Sequence, residues 1–235
     1  KIMKIMSSAD VHIFPSDRIR SYMLNYLNVP EERTLVLPHV VLDVKDEEIT
    51  NKVTSKKLHV LHSGNLTYPR SPKNLLKALK KISEEYSEIN MDITILGAYD
   101  DAVRRDIYEM GLSEYVKTLS PVSYSQSLKF LKDYQIALIV EADCHEGIFL
   151  PTKVSDFMQY KMRIFAASPS VGVLNDLYQS RYVQYFAPIN NTEQIYIELK
   201  KIYEDFQSGA FDHPATNNIP TDYKADHIIE VYFNL

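Results

Sequence analysis

A lysine stands near the predicted start of a helix, in the sequence Pro151-Thr152-Lys153. The amides of a helix's first turn lack partners inside the helix and carry the positive end of its dipole. Because a lysine there opposes the dipole unless an anion is bound, we interpret the segment as a phosphate site formed by backbone amides and Lys153. The alternative is a solvent-exposed lysine that the helix start tolerates, and the pattern leaves both open.

Two carboxylates accompany this lysine. Asp156 follows Lys153 by three residues, which places both side chains on one helical face. It could accept hydrogen bonds from vicinal hydroxyls such as those of a ribose, or form a local ion pair with Lys153. Glu146 lies upstream in a predicted loop, where it could bind sugar hydroxyls or be an exposed loop acid.

Short apolar segments alternate with amphipathic helical patterns from residue 56 to the end of the chain. Segments 58–61, 91–96 and 136–140 are rich in apolar residues, as strands buried on both faces should be. The alternation predicts an α/β fold with a doubly wound, Rossmann-like parallel sheet covered by helices on both faces. Ligands of such sheets bind outside the carboxyl ends of the strands.

The same patterns predict the bounds of individual elements. Ser71 and Pro72 are typical of the N-cap and the first residue of a helix. The sequence also predicts helices over 171–179 and 192–207 and a strand over 183–186.

Glycine is scarce, with 6 residues among 235, and half of them follow predicted strands. Gly64 and Gly97 come after strands, and Gly147 lies in the loop that follows residue 140. A single glycine at such a place can simply permit a tight turn. Several at one edge of a sheet favour a ligand cleft at that edge.

The first 55 residues carry a different pattern. They contain two predicted strands and one predicted helix, too few to bury their own apolar faces. The charged segment 43–55 is typical of a linker. Since the chain begins at Lys1 rather than methionine, we expect residues 1–55 to be a remnant of an N-terminal domain with its linker. Residues 56–235 should form one complete C-terminal domain. The remnant either belongs to a mostly absent domain or packs on this one.

The composition is that of a soluble globular protein, with 45% hydrophobic residues, 24% charged residues and a net charge of -5. These values exclude a disordered chain and argue against a general polyanion binder. The 17 tyrosines and 9 phenylalanines are scattered, unlike a stacking platform for nucleic acid. No apolar stretch approaches the roughly 18 residues of a membrane span. The single cysteine excludes an intrachain disulfide and indicates a reducing compartment.

Four potential metal ligands are consecutive in Asp143-Cys144-His145-Glu146. Neighbouring side chains do not readily converge on one ion and spaced ligand pairs are lacking, so we predict no metal site. Cys144 has no identifiable catalytic partner in the sequence. His62 follows a strand and could line the cleft, but a hydrogen-bonded buried histidine is the simpler interpretation.

Several short motifs occur in a fixed order between residues 56 and 187. They are Ser63-Gly64-Asn65-Leu66, Arg70-Ser71-Pro72, Glu146-Gly147, Leu150-Pro151-Thr152-Lys153, Asp156-Phe157 and Ile164-Phe165-Ala166-Ala167-Ser168. In this order and spacing they resemble the GT-B glycosyltransferases. The similarity is greatest to the family-4-type retaining enzymes that carry a Pro-Ser-Lys variant of the donor motif.

The resemblance implies two Rossmann-like domains that face each other across a cleft. The C-terminal domain would bind a UDP-sugar or GDP-sugar donor, and the absent N-terminal domain would bind most of a glycan or glycolipid acceptor. Such enzymes usually need no metal and no further cofactor. The resemblance also implies polysaccharide biosynthesis in the cytoplasm, with peripheral association at the inner face of the membrane and no nucleic-acid partner.

Position by position, the resemblance assigns the diphosphate to a group of five residues. Gly64 would let the backbone approach the phosphates, and Thr152 would start the helix that faces them. Lys153 would neutralise charge as the nucleotide leaves, a catalytic role. Arg70 or Lys73 would share that task.

The resemblance assigns the rest of the donor to three further residues. Glu146 would hold the transferred sugar, also a catalytic role, and Asp156 would hold the ribose where the family usually has glutamate. Val122 would lie near the base. The family often has Ala-Gly-Lys-Pro where this chain has residues 160–163, so that turn must close without its glycine and proline. Asn65 stands where many relatives place arginine, so part of the phosphate clamp must come from elsewhere.

Three alternatives stay open. A GT-B-like nucleotide-sugar 2-epimerase would need carboxylates and a histidine supplied partly by the absent half. A non-catalytic nucleotide-sugar-binding module is favoured by the altered turn at 160–163. The transferase is favoured by Gly64, Glu146, Lys153 and the acid at Asp156. A flavodoxin-like regulatory domain would need an acidic phosphorylation pocket at the strand ends, which the sequence does not suggest.

Overall fold

A computed structural model describes residues 8–27, 29–42, 55–86, 88–213, 215 and 219–234. Within them, strands and helices alternate as the sequence predicts. The strands are β1 (His12–Phe14), β2 (Thr34–Val36), β3 (Leu58–Ser63), β4 (Met91–Leu96), β5 (Val116–Leu119), β6 (Ile136–Val140), β7 (Arg163–Ser168) and β8 (Tyr185–Pro188). The helices are α1 (Asp17–Leu27), α2 (Lys73–Glu85), α3 (Asp101–Glu109), α4 (Tyr124–Phe130), α5 (Lys153–Gln159), α6 (Val173–Gln179), α7 (Thr192–Gln207) and α8 (Ala225–Phe233).

The main sheet has six parallel strands in the order β5-β4-β3-β6-β7-β8. Chain order runs outward from β3 to β5 and then restarts at β6 on the other side of β3. This is the strand order of a doubly wound Rossmann fold, so the predicted fold class is confirmed. The order reverses between β3 and β6, and a ligand crevice is expected outside their carboxyl ends.

Strand β6 explains why the sheet is covered on both faces, because all of its residues are buried. Ile136, Leu138 and Val140 pack into one apolar cluster with residues of α2, α3 and α7. Ala137 and Ile139, which point the opposite way, pack into a second cluster with residues of α5 and α6. Alternate side chains of this continuous apolar strand therefore contribute to two separate apolar clusters, one on each face of the sheet.

Some boundaries differ from the predicted ones for identifiable reasons. The last strand of the sheet was expected at 183–186 but pairs with β7 only from Tyr185 onward. The amides of Tyr182 and Val183 instead donate to the carbonyl of Leu177 and close the end of α6. Helix α2 begins at Lys73, one residue later than predicted, with Pro72 rather than a serine at the N-cap position.

The N-terminal segment packs on the main domain. Strands β1 and β2 form a separate parallel pair that α1 connects. Beyond β2, the amide of Val41 donates to the carbonyl of Tyr223 at 2.8 Å, and the Ser155 hydroxyl donates to the carbonyl of His39 at 2.8 Å. The predicted linker at 43–55 lies, apart from its last residue, outside the described residues.

A buried carboxylate fixes the opposite end of the sheet. Asp92 is 1% exposed and lies 2.9 Å from the His59 ring, 3.1 Å from Lys57 Nζ and 3.2 Å from Lys117 Nζ. Burial by itself would raise the pKa of Asp92, but the hydrogen bonds from His59, Lys57 and Lys117 outweigh it and lower the pKa. The cluster thus stabilises the ionised form of Asp92 in the folded state.

We expect Asp92→Asn to lower the free energy of unfolding by about 1.5–3 kcal/mol near neutral pH, as for hydrogen bonds to a charged group. Because the folded-state pKa lies below the ordinary value, this stabilisation is present above about pH 4 and is lost as the pH falls further. Urea unfolding of both proteins across this range checks it. The exposed Asp133→Asn serves as control, and a difference that persists unchanged in acid would contradict the account.

Candidate functional site

A cleft of about 410 Å³ opens at the carboxyl ends of β3 and β6, where the strand order reverses. Its walls are the loop after β3, the end of β6 and the segment that leads into α5. Four of the residues to which the resemblance assigns donor contacts line it, and they are Gly64, Arg70, Thr152 and Lys153.

The loops after β3 and β4 approach each other so closely that glycine is needed at position 97. The Gly64 amide donates to the carbonyl of Leu96 at 2.9 Å. Gly97 has φ +147°, and a Cβ on it would collide with the carbonyl oxygen of Gly64. The absence of a side chain at Gly97 therefore lets the Gly64 loop, which lines the cleft, lie against the end of β4.

The cationic wall differs in detail from the expected one. Lys153 is the first residue of α5, but the amides of Val154 and Ser155 already donate to the carbonyls of Pro151 and Thr152. Part of the expected amide array is therefore occupied, and the charge in this wall comes chiefly from the Lys153 side chain. Its Nζ lies 3.5 Å from Asp156, and the side chain is 29% exposed.

Asp156 is nearly buried, and a tyrosine that the sequence analysis missed holds it. The Tyr124 hydroxyl donates to its carboxylate at 2.7 Å, and this bond raises the pKa of Tyr124 to about 12. The Tyr124 ring also lies 5.3 Å from Lys153 Nζ. Since Val122 stands two residues before Tyr124 and is 39% exposed, the loop that carries Val122 lies beside Asp156.

Arg70 reaches the cleft, whereas Lys73 does not line it. The Arg70 guanidinium lies 3.3 Å from the carboxylate of Glu141, the residue that follows β6. Burial raises the pKa of Glu141, although Arg70 acts in the opposite direction. Glu141 is, after Tyr124, a second residue of the site that no sequence pattern indicated.

Glu146 lies in a neighbouring cavity of about 520 Å³, between α1 and the loop after β6. Its carboxylate accepts a hydrogen bond from Arg18 at 2.6 Å. The same guanidinium also binds Asp176 of α6, with one bond of 2.7 Å. Arg18 therefore connects the N-terminal segment to the predicted sugar-binding acid, a contact between residues far apart in the chain that local patterns cannot reveal.

The loop that carries Glu146 is fixed by a second close approach. The Gly147 amide donates to the carbonyl of Val171, and the Val173 amide donates to the carbonyl of Gly147. A Cβ on Gly172 would lie 2.8 Å from the carbonyl oxygen of Gly147, so only glycine fits there. This pairing also explains why α6 begins at Val173, two residues later than predicted.

His62 is buried, as predicted, but it is not fully hydrogen-bonded. Its Nδ1 lies 3.1 Å from the carbonyl oxygen of Leu138, whereas Nε2 has no hydrogen-bond partner among the residues that the structure describes. The expectation of a satisfied histidine is therefore wrong for this atom. Burial lowers the pKa of His62 to about 4, so the ring is neutral near neutral pH.

The turn at 160–163 closes without glycine. Lys161 adopts φ +50° and takes the place that glycine usually fills. The amides of Lys161 and Met162 donate to the carbonyls of Met158 and Phe157, which ends α5 in the ordinary way. The departure from the family pattern therefore leaves the helix and the following strand in place.

The described part of the chain has neither a cluster of metal ligands nor a helix that could cross a membrane. No group of three or more histidine, cysteine, aspartate or glutamate side chains in it is arranged to hold a metal ion. None of its helices has the length and apolar character needed to cross a membrane. Cys144 is exposed, and its thiol donates to the carbonyl of Glu146 at 3.4 Å.

Comparison with solved structures finds this architecture in several glycosyltransferases. A glycosyltransferase from Rickettsia africae matches 99% of the chain over 65% of its own length, with a TM-score of 0.71 and 12% identity. S. aureus TarM, in a complex with fondaparinux, alpha-GlcNAc-glycerol and UDP, matches 99% of the chain over 45% of its own length, with a TM-score of 0.69 and 13% identity. Sucrose-phosphate synthase from Thermosynechococcus elongatus matches 99% of the chain over 59% of its own length, with a TM-score of 0.70 and 13% identity.

The chain has a Rossmann-like fold that matches part of the GT-B glycosyltransferases. The resemblance inferred from the sequence motifs is confirmed at the level of the fold. The chain spans between 45% and 65% of the length of the three proteins just named. No family profile matches it, and no curated protein does.

Proposed function

We propose that the cleft binds the diphosphate of a nucleotide-sugar and that the protein to which this chain belongs transfers the sugar to an acceptor. The observation that carries the proposal is the presence of Arg70 and Lys153 in the lining of one cleft at the switch point of the sheet. Gly64 lines the same cleft without a side chain that would keep a ligand from its backbone. Two of the solved structures with this fold are complexes with UDP.

The chemistry of sugar transfer agrees with these side chains. Breaking the anomeric bond leaves positive charge on the sugar and added negative charge on the departing diphosphate. Cations fixed beside the diphosphate stabilise charge that grows in the transition state. Arg70 and Lys153 supply two such cations without a metal ion, so we propose a metal-independent transferase. The resemblance of the motifs to retaining enzymes is the reason to propose that it retains the anomeric configuration.

The remaining donor groups follow the same geometry. Asp156 would bind the ribose by exchanging part of its contact with Tyr124 and Lys153, and the loop of Val122 would meet the base. Glu146, oriented by Arg18, would hold the transferred sugar in the neighbouring cavity. A glycan or glycolipid acceptor, bound mainly by other parts of the protein, and a cytoplasmic site of action at the inner face of the membrane complete the proposal.

A titration of the chain with UDP and with GDP tests the proposal. We expect one of the two to bind with a dissociation constant at or below the millimolar range, and we expect the affinity to fall as salt increases because the contacts are ionic. A chain that binds neither nucleotide at millimolar concentration does not have this function.

A non-catalytic nucleotide-sugar-binding module is the second candidate, because the chain departs from the family pattern at residues 160–163. The regular closure of that turn around Lys161 weakens this argument. Donor hydrolysis or transfer by the whole protein, measured with the nucleotide-sugar whose nucleotide binds, separates the two candidates.

A further inference from the structure

Nε2 of His62 is a nitrogen at the cleft that takes part in none of the donor contacts proposed above. His62 is 5% exposed and lines the cleft at the end of β3. The carbonyl of Leu138 accepts from Nδ1, which fixes the neutral tautomer with its proton on Nδ1 and a lone pair on Nε2. Nε2 is buried and has no partner among the described residues. Buried polar atoms are nearly always paired, so one left unpaired at a cleft points to a ligand.

Nε2 lies directly under the backbone of the Gly64 loop. A Cβ on Gly64 would stand 3.4 Å from Nε2, which is ordinary van der Waals contact. With glycine at position 64, no side chain from that residue covers the nitrogen on this side. The nitrogen is therefore buried just beneath the cleft surface formed by the loop that is expected to meet the diphosphate.

Charged groups from several elements face this surface. Arg70 comes from the loop before α2, Lys153 from α5, and Glu141 from the end of β6. Burial and the charge of Arg70 disfavour protonation of His62, whereas the carbonyls of Leu138 and Gly64 favour it. The ring is therefore neutral before the ligand binds.

A diphosphate changes this balance. Its oxygens carry negative charge and cannot approach a bare lone pair on Nε2 without repulsion. The same negative charge offsets that of Arg70, which removes part of what opposes a proton on the ring. A proton taken from solvent by Nε2 turns a repulsive contact into a charged hydrogen bond.

We propose that His62 is a phosphate ligand of the cleft that takes up one proton at Nε2 when the diphosphate of a nucleotide-sugar binds. The inference rests on the proposed function, since it concerns the same cleft. It makes donor binding dependent on pH: the association constant falls as the pH rises. With a single proton taken up, the association constant changes by at most about tenfold for each pH unit. This change occurs between the pKa of His62 before binding and its pKa in the complex.

Calorimetric titration with UDP-glucose and with GDP-mannose tests this. These donors suit the test because a diphosphate esterified at both ends has no phosphate proton that titrates near neutral pH. Titrations of the wild-type chain in buffers of different ionisation enthalpy should give uptake of up to one proton at mildly acidic pH. His62→Gln keeps an N–H donor but cannot gain a charge, so its proton uptake should vanish and its affinity should not vary with pH.

Nitrogen-15 spectra of the His62 ring provide a reading that needs no variant. We expect the neutral Nδ1–H tautomer without donor and the imidazolium in the complex. Binding with an unchanged neutral ring, or with equal proton uptake by wild type and His62→Gln, overturns the inference and leaves the proposed function standing. Failure of both donors, and of UDP and GDP, to bind overturns the inference and the proposed function together.

Discussion

Lys153→Ala should weaken the binding of UDP or GDP about ten- to a hundredfold. Lys153 is partly buried at the cleft wall, where its ammonium is expected to make a charged hydrogen bond to the diphosphate. Loss of such a bond costs about 1.5–3 kcal/mol. Calorimetric titration of the wild-type and variant chains measures the change.

Lys77→Ala is the matched control, because it removes the same charge from an exposed position on α2. It lowers the net charge equally but leaves the cleft unchanged, so its affinity should stay within about twofold of the wild type. Equal losses in the two variants would mean that binding responds to overall charge rather than to Lys153. Equal binding by Lys153→Ala and the wild type would remove Lys153 from the site.

Gly97→Ala should have the largest effect on the fold near the cleft. The new Cβ would collide with the backbone carbonyl of Gly64, and φ +147° is a conformation that side-chain-bearing residues rarely adopt. Backbone strain of about 1–3 kcal/mol adds to about 1–3 kcal/mol for overpacking. We therefore expect a loss of about 2–6 kcal/mol in the free energy of unfolding, together with loss of nucleotide binding as the Gly64 loop is displaced.

Gly111→Ala separates strain from collision. Gly111 also has a positive φ, +71°, but a Cβ there meets no atom within 4 Å. This variant should lose only about 1–2 kcal/mol, the cost of the left-handed conformation, and should bind nucleotide as the wild type does. Urea unfolding and calorimetry of both variants check the pair, and equal losses of stability would refute the role assigned to the contact between the two loops.

The elements of the main domain could be predicted because their signals are local. Helix α7 runs from Thr192 to Gln207, as its apolar periodicity indicates, and β4 spans Met91–Leu96 as predicted. Boundaries moved where a distant segment takes over the backbone hydrogen bonds. Gly147 binds the residues just before α6 and so delays that helix, and no pattern within 171–179 encodes this contact.

The candidate site was predicted in its cations and glycines but not in the partners that hold its acids. Proline and lysine near a helix start, and glycines after strands, are visible as residue types at a fixed place. Arg18, by contrast, pairs with Glu146 across 128 residues of sequence, and Tyr124 pairs with Asp156 across 32. Such pairs depend on how whole elements pack together, which single-chain patterns do not specify.

A crystal structure of the chain grown with UDP or GDP tests the central claim most directly. The account predicts that the diphosphate lies between the Gly64 loop and Lys153, within hydrogen-bond distance of Arg70 and of Nε2 of His62. The ribose should then contact Asp156. A nucleotide bound elsewhere, such as in the cavity beside Glu146 and Arg18, would contradict the assignment of the cleft.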